Sequence, residues 1–350
     1  MLSPEQVAKL SDPLLRVVAE LEAALVAESA RLVAEGAPAS VARVRLETIA
    51  AQYPLAVQTA AAASVTAGVA LAQKPAEALY RKAYAEGLLS KYTPDSLTAR
   101  NVVTSYAKTA EGYGRIVQTA ALESRVQTVQ QALDTAALRV ATGTAREVAV
   151  AEAVEHIGKT ATHMTFRTEA GKTIRRELDS AVRQLVGTTA HQAALRVQEV
   201  RLHELGAEFV EVSAHGGARP EHAVWQGQVY RYDELAEKTG YGDGDGLGGW
   251  NCRHSWSPHL PGISPEPPSP PDLAENEITY NATQRQRQIE RNISAYKRRL
   301  TASEAGYTAA PSDQLKAQVD RDRALVKKWQ AEARANAKQF DLTRRDASDR

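Results

Sequence analysis

The sequence predicts a mainly α-helical protein in which a long N-terminal helical arm and a C-terminal αα-hairpin flank a small α+β module. Apolar residues recur at helical spacing, as in Val7, Leu10, Leu14, Val17, Leu21 and Leu25, which forms one stripe of a long helix. Two patches, residues 212–230 and 241–262, differ in composition from everything around them. Together they hold four of the eight histidines, the single cysteine and three of the four tryptophans. Aromatic residues make up only 5% of the chain, while the 43% apolar content leans on Ala and Val. That balance favours long helices packed through small residues over one large core.

Each element has a local reason. Ser3 is an N-cap, Pro4 suits the first helical position and Gln6 completes a capping box. Gly36 and Pro38 end that helix. The next is expected over 40–73 with a kink at Pro54, followed by helices at 76–90, 95–112, 115–142 and 144–158. The chain up to Gly206 reads as helix throughout, divided into an Ala-rich arm (1–142) and a helical lead-in (143–206). The pattern changes in the module, 207–262. Alternation around Phe209, Val210 and Val212 predicts a strand, with further strands at 227–232 and 253–258 and a short helix between these two. A Pro-rich linker, 263–272, leads to the final segment, 273–350. There, helices are expected at 273–305, carrying Ile289, Ile293, Tyr296 and Leu300, and at 312–340, carrying Leu315, Val319, Val326, Trp329 and Phe340. Gly306, Tyr307 and Pro311 separate them, and the last ten residues are expected to fray.

Composition narrows the function classes. A net charge of +1, from 43 basic and 42 acidic residues, argues against wholesale coating of nucleic acid. One cysteine forbids an internal disulfide and fits a reducing compartment. No targeting segment is recognised, and residues 53–71 are too weakly apolar to predict a membrane span, so a soluble protein is expected.

His215, His222, Cys252 and His254 offer four nitrogen or sulfur donors, the set a tetrahedral structural zinc takes. A small module with a thin core gains from such a staple. The Cys-x-His spacing differs from a Cys-x-x-Cys knuckle, and a second reading is open: hydrogen-bonded histidines pinning loops around a small buried cysteine. Residues 244–249 match G-x-G-x-x-G literally, but no strand leads in and no helix follows. The Asp243–Gly246 run lacks the later ligands of a calcium loop. Its glycines instead permit a tight loop that turns Trp250 back onto the module. A Cys–His nucleophile pair has no supporting motif, so no catalytic residue is assigned and no enzyme is expected. Arg285, Arg287, Arg291, Lys297, Arg298 and Arg299 cluster against one acid, Glu290. They are read either as a nucleic-acid or partner surface or as a solvated helix face.

Four motifs then carry a resemblance: "TFRTEA" (165–170), "VSAHGGARPEHAVWQGQVY" (212–230), "YGDGDGLGGWNCRHSWSPHLPGIS" (241–264) and "TQRQRQIERNISAYKRRL" (283–300). With them the chain resembles the phage minor capsid protein 2 family, a branch of the Mu-type head-morphogenesis proteins. The resemblance implies a virion structural protein, made in the host cytoplasm and placed near the portal vertex or the inner capsid surface. It would act in head assembly, DNA packaging or ejection, in several copies, with portal protein, major capsid protein and packaged DNA as its neighbours and no need for a membrane. Related modules carry Cys-x-x-Cys followed by Cys-Arg-Cys. The corresponding positions resemble His222 and Cys252-Arg253-His254, with His215 nearby, which supports zinc as the one cofactor expected. Two alternatives are a DNA-binding ejection protein and a metal-dependent effector built on the same module.

Overall fold

A computed structural model describes residues 1–167 and 171–342. The chain is mainly α with a small α+β module. The final eight residues and the last three of the "TFRTEA" motif lie outside the described residues.

The capping box at the start is present: the Ser3 amide donates to Gln6 Oε1 at 2.7 Å and the Gln6 amide to Ser3 Oγ at 3.2 Å. The single first helix is corrected to two, α1 (Pro4–Lys9) and α2 (Asp12–Glu35). Pro13 has no N–H for the Lys9 carbonyl, so the helix restarts there. α3 (Ala39–Ala50) and α4 (Pro54–Ala85) follow, parted at Pro54 as the sequence predicts. The break expected near residue 75 is absent, because α4 runs through Pro75. Pro75 is exposed, where water can take the carbonyl it leaves unpaired, and the next turns bury Ala76, Tyr80 and Ala83. By length and composition the stretch Ala39–Ala85 could cross a membrane, with 39% of its most apolar window buried. Helices α5 (Leu97–Glu111), α6 (Tyr113–Ala141) and α7 (Arg146–Lys159) match expectation.

The all-helical reading to Gly206 is also corrected. β1 (His163–Arg167) and β2 (Thr173–Glu177) form an antiparallel hairpin before α8 (Leu178–Leu205). Met164, Phe166 and Ile174 alternate with polar residues, the period of a strand. The module follows. β3 (Phe209–Val212) lies between β4 (Val229–Arg231) and β5 (Trp256–His259), antiparallel to both. Short helices α9 (Pro220–Ala223) and α10 (Leu235–Thr239) complete it. α11 (Leu273–Ala309) and α12 (Asp313–Gln339) close the chain. Gly306 is helical, not a separator.

The chain forms two compact units: residues 1–14, 58–112 and 182–284 in one, and residues 15–57, 113–181 and 285–350 in the other. In the first, Val210, Val212, Trp225, Trp256 and Leu260 of the module pack with Leu195, Leu202 and Leu205 of α8 and Tyr80 of α4. α4 approaches α8 through Gly68, where an added methyl would sit 3.4 Å from the Ala190 carbonyl. In the second, α7 packs on α11 through two glycines. A methyl on Gly158 would lie 2.8 Å from the Arg299 Cα, and one on Gly306 would lie 2.9 Å from the Val154 methyls. Backbone cannot yield as a side chain can. Gly158→Ala is therefore expected to destabilise by about 1–3 kcal/mol in a denaturant titration, despite alanine's higher helix propensity.

Candidate metal centre

His222, Cys252 and His254 reach one point from three places in the module. His222 ends the single turn of α9, which Pro220 starts with a preset φ. Cys252 follows a coil of glycines and sits after Asn251, whose φ of 56° is left-handed. His254 immediately precedes β5. The coil depends on its glycines: a side chain on Gly246 would run into the Gly240 carbonyl. Trp250 folds back over Gly244, as the sequence suggests, and Arg219 caps the Trp250 carbonyl at 2.6 Å.

The ligand atoms of these three residues lie within 4.8 Å of one another, and all three residues are buried. Cys252 Sγ is 3.7 Å from His222 Nδ1 and 3.8 Å from His254 Nδ1. The hydrogen bonds around them settle the tautomers. His222 Nε2 lies 2.8 Å from the Asp245 carbonyl, which can only accept. His254 Nε2 lies 3.0 Å from Gln226 Oε1. That oxygen is identified by the His215 amide, which donates to it at 3.0 Å. Both Nε2 atoms therefore carry the proton, and both Nδ1 lone pairs face the sulfur. One thiol proton can satisfy one of them. Burial, together with His215, His222 and His191, holds the His254 imidazolium down to about 2, so the ring is neutral. Burial also lowers His222 and raises the Cys252 thiol.

These residues fit a metal ion. Bond lengths typical of zinc put sulfur and nitrogen about 3.6 Å apart across a tetrahedral edge, close to the observed separations. Each imidazole also donates its second nitrogen to a carbonyl oxygen, the arrangement that orients metal-bound histidines. His215 stands beside the trio. Its ring stacks on His254 at 4.3 Å, its Nδ1 bonds the Gly216 carbonyl at 2.9 Å, and its buried Nε2 has no hydrogen-bond partner.

Sequence reasoning missed Gln226, the Asp245 carbonyl and His191. Gln226 lies four residues after His222 and is 1% exposed. Its spacing was a usable signal; a backbone carbonyl leaves none. His191 is buried on α8, and burial lowers it to about 4. The six basic residues of α11 do not share one open face. Arg298 is buried on the Gly158 carbonyl at 3.2 Å and near Glu22 at 3.7 Å, and Arg299 pairs with Asp322 at 3.0 Å. Lys297 Nζ is buried without a hydrogen bond, Arg287 is half-buried, Arg285 pairs with Glu332 and Arg291 bonds Gln288.

A family model described as Phage minor capsid protein 2 matches residues 55–337. No curated protein and no solved structure matches the chain significantly.

Proposed function

The chain belongs to the phage minor capsid protein 2 family, and from that premise we propose that it is a head component bound near the portal vertex or the inner capsid surface, where its zinc-stapled module serves as a rigid joint. As a member of the family it is a structural protein of the virion, and such a protein works through contacts with other virion components. Portal protein and major capsid protein are the proposed neighbours, and the proposed roles are head assembly, DNA packaging or ejection. The carrying observation is the pair of Nδ1 lone pairs turned on one buried sulfur. His222, Cys252 and His254 would hold the ion, with His215 as the fourth donor. A bound zinc would supply structural cross-linking of the α9 turn, the glycine coil and the start of β5. A module so fixed presents its surface to neighbours without first paying an ordering cost.

The reading is tested on purified particles and purified protein together. Mass spectrometry is expected to find the chain in mature virions at low copy, and electron microscopy to place it at the portal vertex or inner surface. Particles lacking the chain would end the structural reading. Elemental analysis is expected to give about one zinc per chain; a value far below one would end the metal reading alone. The ejection alternative requires salt-sensitive DNA binding through α11.

A further inference from the structure

The second compact unit holds a groove of ≈ 1090 Å³ between α6 and the β1–β2 hairpin. Ile116, Ala120, Val126 and Met164 give it an apolar floor, and Arg115 and Arg175 line it as well. Its charge is unbalanced. Arginines elsewhere in this unit are held by acids: Arg43 by Glu47 and Glu123, Arg139 by Glu152, Arg299 by Asp322, Arg323 by Glu304. Among the described residues, Arg115, Arg167, Arg175 and Arg176 have no ion pair. The one acid lining the groove, Glu123, is taken by Arg43 at 2.9 Å.

The strand beside the groove has an open edge. Register pairs His163 with Glu177, Thr165 with Arg175 and Arg167 with Thr173. The Leu178 amide donates to the Thr162 carbonyl at 2.9 Å, so the ladder bonds fall on Thr162, Met164 and Phe166. The backbone groups of His163, Thr165 and Arg167 therefore point away from β2. The His163 amide takes Ser124 Oγ of α6 at 3.1 Å, which agrees with this direction. One step along the same edge, Thr165 lines the groove and presents an N–H and a C=O.

We infer that this groove receives an extended acidic polypeptide segment, which adds to β1 as a third strand. Its backbone pairs with the Thr165 edge, its carboxylates meet Arg115 and Arg175, and its alternate apolar side chains rest on Ile116, Ala120 and Met164. Nucleic acid is the weaker occupant, although its charge also suits the arginines. A phosphate can satisfy neither an outward carbonyl nor an apolar floor.

Selection of random octapeptides on the immobilised full-length chain tests this, with the best binder then measured by fluorescence anisotropy. The selected peptides are expected to alternate acidic and apolar residues. Binding should weaken about tenfold or more with Arg115→Ala/Arg175→Ala, as expected when hot-spot arginines are lost. Thr165→Pro should weaken it similarly, because proline removes the outward N–H while sparing the ladder to β2. If that variant fails to fold, hydrogen exchange at the Thr165 amide of the wild type decides, slowing on peptide binding if strand addition occurs. No enriched peptide, enrichment without acidic residues, undiminished binding in the arginine variant, unprotected Thr165, or displacement of the peptide by a short DNA duplex would each overturn the inference.

Discussion

Cys252→Ser is expected to reduce bound zinc from about one equivalent to below about a tenth, and to cost on the order of 4 kcal/mol or more, the range that marks loss of a metal site. The size of the effect separates the two readings of the cluster. If the histidines and cysteine were held only by hydrogen bonds, serine would keep a small donor facing His222 Nδ1 and His254 Nδ1, 3.7 and 3.8 Å from the replaced sulfur. The cost would then stay near 1 kcal/mol. If an ion binds there, a hydroxyl is a far poorer ligand than a thiolate, and two neutral imidazoles are left facing each other in a buried space. His222→Ala should give the same loss of metal. Both are checked by elemental analysis and denaturant titration of purified protein, with a chelator on the wild type as the parallel experiment. Equal stability of the wild type with and without chelator, together with a cost near 1 kcal/mol for Cys252→Ser, would leave only the hydrogen-bonded cluster.

Helices were legible wherever one face is apolar and the ends are punctuated. α5 begins at Leu97 behind the Ser96 cap, and α12 begins at Asp313 behind Ser312. Proline and glycine were legible only as local tendencies. Pro54 does start a helix and Pro13 does interrupt one, yet Pro75 sits inside α4 because burial on the following turns outweighs one lost hydrogen bond. Gly306 marks no turn at all: it is small so that Val154 can approach. The β1–β2 hairpin was missed through a wrong choice of period. Its alternation spans only five residues per strand, too few to stand out from the helices on either side.

The candidate centre was legible as a residue set and not as a geometry. His222, Cys252 and His254 could be chosen from the sequence because histidine and cysteine are scarce and concentrated there. Spacing alone made Cys-x-His a weak pair, since on an extended strand the two would stand apart. Asn251 and the preceding glycines bend the chain before β5 begins at Trp256, so the expected strand over 253–258 starts three residues late and the pair curls inward. The basic set on α11 shows the opposite outcome. Its residues cluster in sequence, but α7 and α12 bring Glu155 and Asp322 to Arg299, and no local pattern reports acids that come from other helices.

Arg125→Met is expected to cost about 3–5 kcal/mol, among the largest effects of any single substitution in the second unit. Arg125 is fully buried on α6. Its guanidinium donates to Thr162 Oγ1 at 2.9 Å, to the Thr160 carbonyl at 2.7 Å and to the Ile157 carbonyl at 3.2 Å. Two of these acceptors are carbonyls at the C-terminal end of α7, where a cation also suits the helix dipole. Glu22 balances the charge, 3.7 Å from Arg125 and 3.7 Å from Arg298, and accepts the Thr162 amide at 3.3 Å. Burial pulls the guanidinium down to about 10, so it remains charged at neutral pH and its acceptors remain committed. Methionine fills much of the volume but leaves the α7 carbonyls and the Glu22 carboxylate without that donor. The loss should therefore exceed that of a neutral cavity-sparing swap, and Arg125→Lys, with one cationic centre for three acceptors, should rescue little of it. Hydrogen exchange localises the damage: the amides of Thr160, Thr162 and His163 should exchange faster in the variant, while those of the β3–β5 sheet keep their protection. A uniform change across both units, or a cost below about 1 kcal/mol, would mean that the arginine is only solvating itself and does not fasten α7 to the hairpin.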